Sequence, residues 1–141
     1  MAFSVATFNV KDLLDESVPP LSDDPEAARR LYRAKLDAIA PMVRRLDADV
    51  IAFQEISSAR VLDDLKALLP AHNGRPHGGY HAAVAGSADR RGIACGVLSR
   101  FPVIATCDHR PKDLEFPAFR AGDARPFPET RVHAHRGVLE A

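Results

Sequence analysis

The sequence predicts an α/β fold, a mixed β-sheet flanked by helices. Three observations carry this: two short apolar runs, Phe3 to Phe8 and Asp49 to Phe53; an amphipathic helical stripe between them; and a later pair of apolar runs joined by a polar tip. A strand, a helix and a second strand make a crossover. The two strands therefore run parallel, and their carboxyl ends reach the same rim of the sheet. Ligand sites in open α/β sheets lie outside those ends.

The first run is rich in β-favouring residues and closes on Asn9. Asp49 to Phe53 is almost unbroken in its apolarity, which fits a strand buried on both faces. Alternation puts Ile51, Phe53 and Glu55 on one face, so the Glu55 carboxylate leaves the core where the strand stops. Asn9 and Glu55 are thus expected to meet on one rim and to offer oxygen donors of the kind a hard cation takes. Lys11 to Asp23, with Pro19-Pro20, reads as a polar loop over that rim.

Asp24 reads as an N-cap with Pro25 in the first turn, and Tyr32, Leu36, Ile39, Val43 and Leu46 recur at helical spacing. Pro41 sits inside this helix and predicts a kink or a break there. A second helix starts near Ser57 or Ser58, buries Val61, Leu62, Leu65, Leu68 and Leu69, and ends at Pro70. Tyr80 to Ala85 and Gly92 to Leu98 read as an antiparallel pair whose tip holds Ser87, Asp89, Arg90 and Arg91, and a further strand follows from Val103. Tyr80 reads as a half-buried strand aromatic whose hydroxyl is long enough to reach a phosphate.

From Asp108 to His135 the chain reads as irregular, with Pro111, Pro117, Pro126 and Pro128. Phe116, Phe119 and Phe127 argue that this loop folds partly onto the domain. Residues from Arg136 onward read as the opening of another strand. His133 and His135 alternate as ligands do, but without a partner cluster they read as surface histidines. Cys95 and Cys107 fall on expected strands without metal-ligand spacing and read as buried reduced thiols.

With 19 basic and 19 acidic residues the net charge is zero. No overall field draws a polyanion, so substrate choice rests on local clusters. The chain opens directly into strand-forming residues, and no apolar stretch approaches membrane-spanning length, which predicts a cytoplasmic protein.

Taken in order, Phe8-Asn9-Val10, then Asp49-Val50-Ile51-Ala52-Phe53-Gln54-Glu55, then Tyr80, then Asp89-Arg90-Arg91-Gly92-Ile93 leading into Val97-Leu98-Ser99-Arg100-Phe101-Pro102-Val103 resemble the endonuclease/exonuclease/phosphatase superfamily. The resemblance implies half of a four-layered α/β sandwich, with residues 1–141 as its N-terminal part. It also implies divalent-metal-dependent phosphodiester hydrolysis, nuclease-like, with Mg²⁺ or Mn²⁺ as cofactor and a phosphodiester as substrate, nucleic acid among the candidates. Asn9 and Glu55 correspond to metal-binding, catalytic positions, and Arg90, Arg91, Arg136 and Tyr80 to phosphate contacts.

The family's catalytic His and its Gly-Asp-x-Asn and Ser-Asp-His motifs belong to a later half. Gly122-Asp123-Ala124-Arg125 lacks the Asn, and Cys107-Asp108-His109 comes too early in the order. The expectation is therefore an absent C-terminal half, supplied in cis or by an equivalent partner, and an inactive isolated chain. Two other readings stand beside the nuclease. One is a non-catalytic α/β interaction module; the other is a phosphatase acting on inositol lipids or sphingomyelin-type substrates.

Overall fold

The fold, obtained as a computed structural model, describes residues 2–15, 18, 24–109, 115–118, 127–133 and 138–140. Its centre is a mixed four-stranded sheet. β1 (Val5–Leu13) runs parallel to β2 (Val50–Ile56), with Val5 opposite Val50 and Asn9 opposite Gln54. β3 (Ala82–Ala85) and β4 (Ala94–Ser99) complete it in the order β1-β2-β4-β3, with β4 antiparallel to both neighbours. The crossover between β1 and β2 is α1 (Pro25–Leu46), and α2 (Ala59–Ala67) connects β2 to the β3–β4 hairpin.

α1 forms for the reasons its sequence states. Asp24 accepts the Glu26 N–H at 2.9 Å, Pro25 occupies the first turn, and Leu36, Ile39, Ala40 and Val43 supply the buried face. Asp47, left-handed at φ 44°, ends the helix by donating its N–H to Val43 O at 3.2 Å. Of the two outcomes expected at Pro41, the break does not occur: the helix continues through it. Pro41 lies on the solvent side, so the carbonyl that proline leaves unbonded is on the face open to water. Leu46, expected in the buried stripe, is 44% exposed.

α2 begins at Ser58 as expected, but neither serine caps it. Ser57 Oγ accepts the Asp15 N–H at 3.0 Å and Ser58 Oγ donates to Asp15 Oδ2 at 2.9 Å, so both tie the helix start to the chain leaving β1. Both helices cover one face of the sheet, where Ile51, Phe53, Ile56, Leu62, Leu65 and Leu98 are fully buried. Each such side chain contributes about 1.5–3 kcal/mol. The opposite face, with Val5, Thr7, Asn9, Ala52, Gln54 and Val97, is exposed or half-exposed. β2 is therefore buried on its helix face alone, not on both.

Three expectations fail in the second half. No strand starts at Val103: Ser99 Oγ donates to Phe101 O at 2.9 Å and accepts the Phe101 N–H at 3.0 Å, a local turn that takes the backbone out of the ladder. The stretch 108–135 is not wholly irregular. β5 (Cys107–His109) reaches into it, and β6 (Glu115–Ala118) and β7 (Phe127–His133) pair antiparallel within it. Pro117 and Pro128 obscure this pattern in the sequence. A two-stranded ribbon consists only of edges, where proline is tolerated. Finally, Cys107 is exposed and Cys95 only partly covered, both as free thiols. β8 (Val138–Glu140), the strand expected after Arg136, pairs with β5. Among the described residues no helix is long and apolar enough to cross a membrane.

Candidate active site

At the carboxyl rim of β1 and β2 the ladder loses its register. After Asn9 and Gln54 the next pair is Leu13 and Ile56, so Val10, Lys11 and Asp12 stand against Glu55 alone. On the other side, Gln54 and Ile56 face the consecutive residues Cys95 and Ala94, which leaves Glu55 as the extra residue of a bulge. Three non-glycine residues here are left-handed: Lys11 at φ 50°, Asp12 at φ 58° and Glu55 at φ 67°. Each costs on the order of 1–3 kcal/mol, a strain that clusters at functional sites.

The bulge also corrects the expected alternation. Ile56, fully buried, takes the core position after Ile51 and Phe53, and Glu55 is turned out of that sequence. The result brings the two expected residues together: Asn9 Nδ2 donates to Glu55 Oε1 at 3.1 Å. Asn9 Oδ1 accepts the Lys11 N–H at 2.9 Å, which orients the amide. Val10 and Leu13, both buried, anchor the turn on either side. Lys35 of α1 reaches the same turn and donates its ammonium to Lys11 O and Asp12 O. Nothing in the sequence marks this lysine, since a lysine on a helix flank is ordinarily solvated.

The β3–β4 tip shares this rim, because Ala85 pairs with Gly96, and Gly96 with Phe53. Asp89 builds the tip: its Oδ1 accepts the N–H groups of Arg91 at 2.8 Å and Ile93 at 3.0 Å. Gly92, at φ 77°, admits no side chain, for a Cβ would lie 2.8 Å from Val18 Cγ2. The chain beyond β1 thus packs against the tip. Ser87 donates its N–H to Asp108 Oδ2 at 2.9 Å, and its hydroxyl to the same oxygen. Arg91 pairs with Asp89 at 3.5 Å, whereas Arg90 is exposed and makes no ion pair among the described residues.

Tyr80 does not join them. It lies before β3 rather than in it, and its hydroxyl donates to Ala48 O at 2.9 Å at the opposite rim. Arg100 stacks 5.0 Å from the ring centroid. Burial pushes the Tyr80 pKa up, against the opposing pull of Arg100. A buried hydroxyl committed to a backbone carbonyl on the far rim is not a phosphate contact at the Asn9 rim. Arg136 lies outside the described residues, as do His135 and the segment 122–125; for His133 only the strand is described.

A cavity of about 590 Å³ opens on the helix side between α1, α2 and the chain after β1, and neither Asn9 nor Glu55 lines it. The rim pair, by contrast, has the right donors for a hard divalent ion, an amide oxygen and a carboxylate. Among the described residues no group of three or more His, Cys, Asp or Glu side chains could hold a metal. The pair would be the protein's share of such a site.

Fold and rim together define an α/β protein that carries its polar groups on the carboxyl ends of parallel strands. Residues 6–137 match the model of the endonuclease/exonuclease/phosphatase family, and the chain belongs to that family. The family is one of phosphodiester hydrolysis, and its members generally use divalent metals. Comparisons with curated proteins and with solved structures returned no match.

Proposed function

We propose that this chain supplies the metal-binding side of a divalent-metal-dependent phosphodiesterase with nuclease-like substrates. The observation that carries the reading is the contact of Asn9 with Glu55 at 3.1 Å on a strained, bulged rim. Asn9 Oδ1 and the Glu55 carboxylate would hold Mg²⁺ or Mn²⁺. When bound, that ion supplies neutralisation of the charge developing on the phosphoryl group and its leaving oxygen.

The Asn9–Glu55 hydrogen bond and the Lys11 N–H hold the two side chains next to each other before substrate arrives. Arg90, exposed on the tip, offers a planar guanidinium to phosphate oxygens, while Arg91 and Asp89 shape the tip that carries it. A general base is needed to take the proton of the attacking water. Tyr80 and the neighbouring His77 and His81 lie at the other end of the sheet, where the His81 N–H bonds Ser99 O at 2.8 Å. These groups do not supply it, and this reading places the base elsewhere, in cis or from an equivalent partner.

The test is Glu55→Ala, assayed for Mg²⁺-dependent cleavage of an oligonucleotide phosphodiester in the active protein. Cleavage falls by about 10²-fold or more if the carboxylate is a metal ligand. Wild-type turnover in a folded variant removes Glu55 from the mechanism.

A further inference from the structure

We infer that Lys35 is a positioning residue, whose ammonium holds the left-handed Lys11–Asp12 turn and through it fixes Asn9 against Glu55. The inference rests on the reading of Asn9 and Glu55 as an ion site and adds a third residue, from a different element, to that site.

Backbone accounting supports it. The register slip between Asn9 and Leu13 takes Lys11 and Asp12 out of the β1–β2 ladder, so their carbonyls lose their strand partners. Both residues are left-handed, a conformation that side chains with a Cβ resist. Lys35 Nζ donates to Lys11 O and, at 3.0 Å, to Asp12 O. An ammonium has three donors on a flexible stem and can serve two adjacent carbonyls at once.

From there the connection is short. Lys11, whose carbonyl Lys35 holds, gives its N–H on the other side of the same Cα to Asn9 Oδ1 at 2.9 Å, and Asn9 Nδ2 gives its hydrogen to Glu55 Oε1 at 3.1 Å. Lys35 thus stands three hydrogen bonds from the carboxylate, through Lys11 and Asn9. Outer-shell partners of this kind tune metal affinity by about 10- to 100-fold. The position of Lys35 explains how α1 can take part: it neighbours Leu36, which is buried in the core, so the stem starts from a fixed point.

Lys35→Met keeps the stem and removes the donors, while Lys35→Arg keeps a charged donor. In metal-free protein, the Asn9 side-chain amide resonances and the backbone amides of Lys11 and Asp12 should shift and broaden in Lys35→Met, with Lys35→Arg closer to wild type. The half-saturating Mn²⁺ concentration should rise about tenfold in Lys35→Met. An unchanged Asn9 side-chain resonance in Lys35→Met overturns the inference. The metal-free resonance decides the positioning claim whatever the ion does. If Asn9→Ala and Glu55→Ala leave Mn²⁺ binding intact, the ion-site reading fails separately.

Discussion

The Asp49 carboxylate accepts both the main-chain N–H and the hydroxyl of Ser4 through one oxygen, each at 2.9 Å, and the Asp49 N–H returns to Ser4 Oγ at 3.1 Å. This exchange joins the chain entering β1 to the chain entering β2. Because the strands are parallel, the register set here is the one that delivers Asn9 opposite Gln54 and beside Glu55 at the other end. A slip of one residue would turn every side chain of β1 to the other face and send Asn9 into the core.

The Ser4 clasp should be visible in the acid limb of stability. The backbone hydrogen bond from Ser4, then its hydroxyl, hold the Asp49 pKa below its ordinary value, and Arg100 adds to the effect. A depressed carboxyl favours the folded state once ionised. Its contribution is complete above the unfolded value, about pH 4, and is lost as pH falls through the folded value. Asp49→Asn keeps an acceptor for Ser4 but cannot titrate. The variant should show a shallower fall of Tm below about pH 4 than wild type; equal slopes would remove Asp49 as a contributor.

Gly96 is required by close approach, not by backbone conformation. A Cβ there would lie 2.5 Å from Ile56 Cδ1, 2.7 Å from Val84 O and 2.9 Å from Leu62 Cδ1. Gly96→Ala should destabilise by about 1–3 kcal/mol, read in denaturant unfolding. Adding Ile56→Val removes the nearest methyl, so the double variant should lose less than the sum of the two single changes. The Val84 carbonyl is main chain and cannot retreat as easily, so the rescue should be partial. Strict additivity would show that Ile56 is not the obstacle.

The sequence made the αβ crossover legible because α1 states its own limits: Asp24 and Pro25 at the start, and a stripe from Tyr32 to Val43. From that crossover the shared rim of Asn9 and Glu55 follows. The left-handed bulge was not legible, because Lys11 and Glu55 do not signal positive φ and a single Asp12 signals it only weakly. Tyr80 misled for a related reason. Its residue type suits a strand, but a buried hydroxyl takes whichever acceptor the fold offers, and that acceptor was Ala48 O.

Asn9→Asp tests the electrostatics of the rim without changing its shape. The Asn9 Nδ2 group that now donates to Glu55 at 3.1 Å becomes a second carboxylate oxygen. Two adjacent carboxylates cannot both ionise cheaply; their repulsion is about 1 kcal/mol even at the dielectric of water. In EDTA the variant should melt below wild type, with the gap closing as pH drops and one carboxyl protonates. Mg²⁺ should then raise its Tm more than it raises that of wild type. Equal melting of variant and wild type in EDTA would mean that the two side chains are not in contact in solution.

Glu55→Gly separates strain from chemistry at the same residue. Glycine adopts φ 67° without the Cβ penalty, about 1–2 kcal/mol for other residues, though it gives back roughly 0.5–1 kcal/mol in unfolded-state entropy. Alanine keeps the penalty and loses the carboxylate. Both variants should lose divalent-ion binding, yet Glu55→Gly should melt at or above Glu55→Ala. The comparison holds the hydrogen-bond loss to Asn9 constant, so the order of the two Tm values reports the backbone alone. An alanine variant more stable than the glycine variant would show that Glu55 is not held left-handed, and the bulge would no longer explain how the carboxylate reaches Asn9.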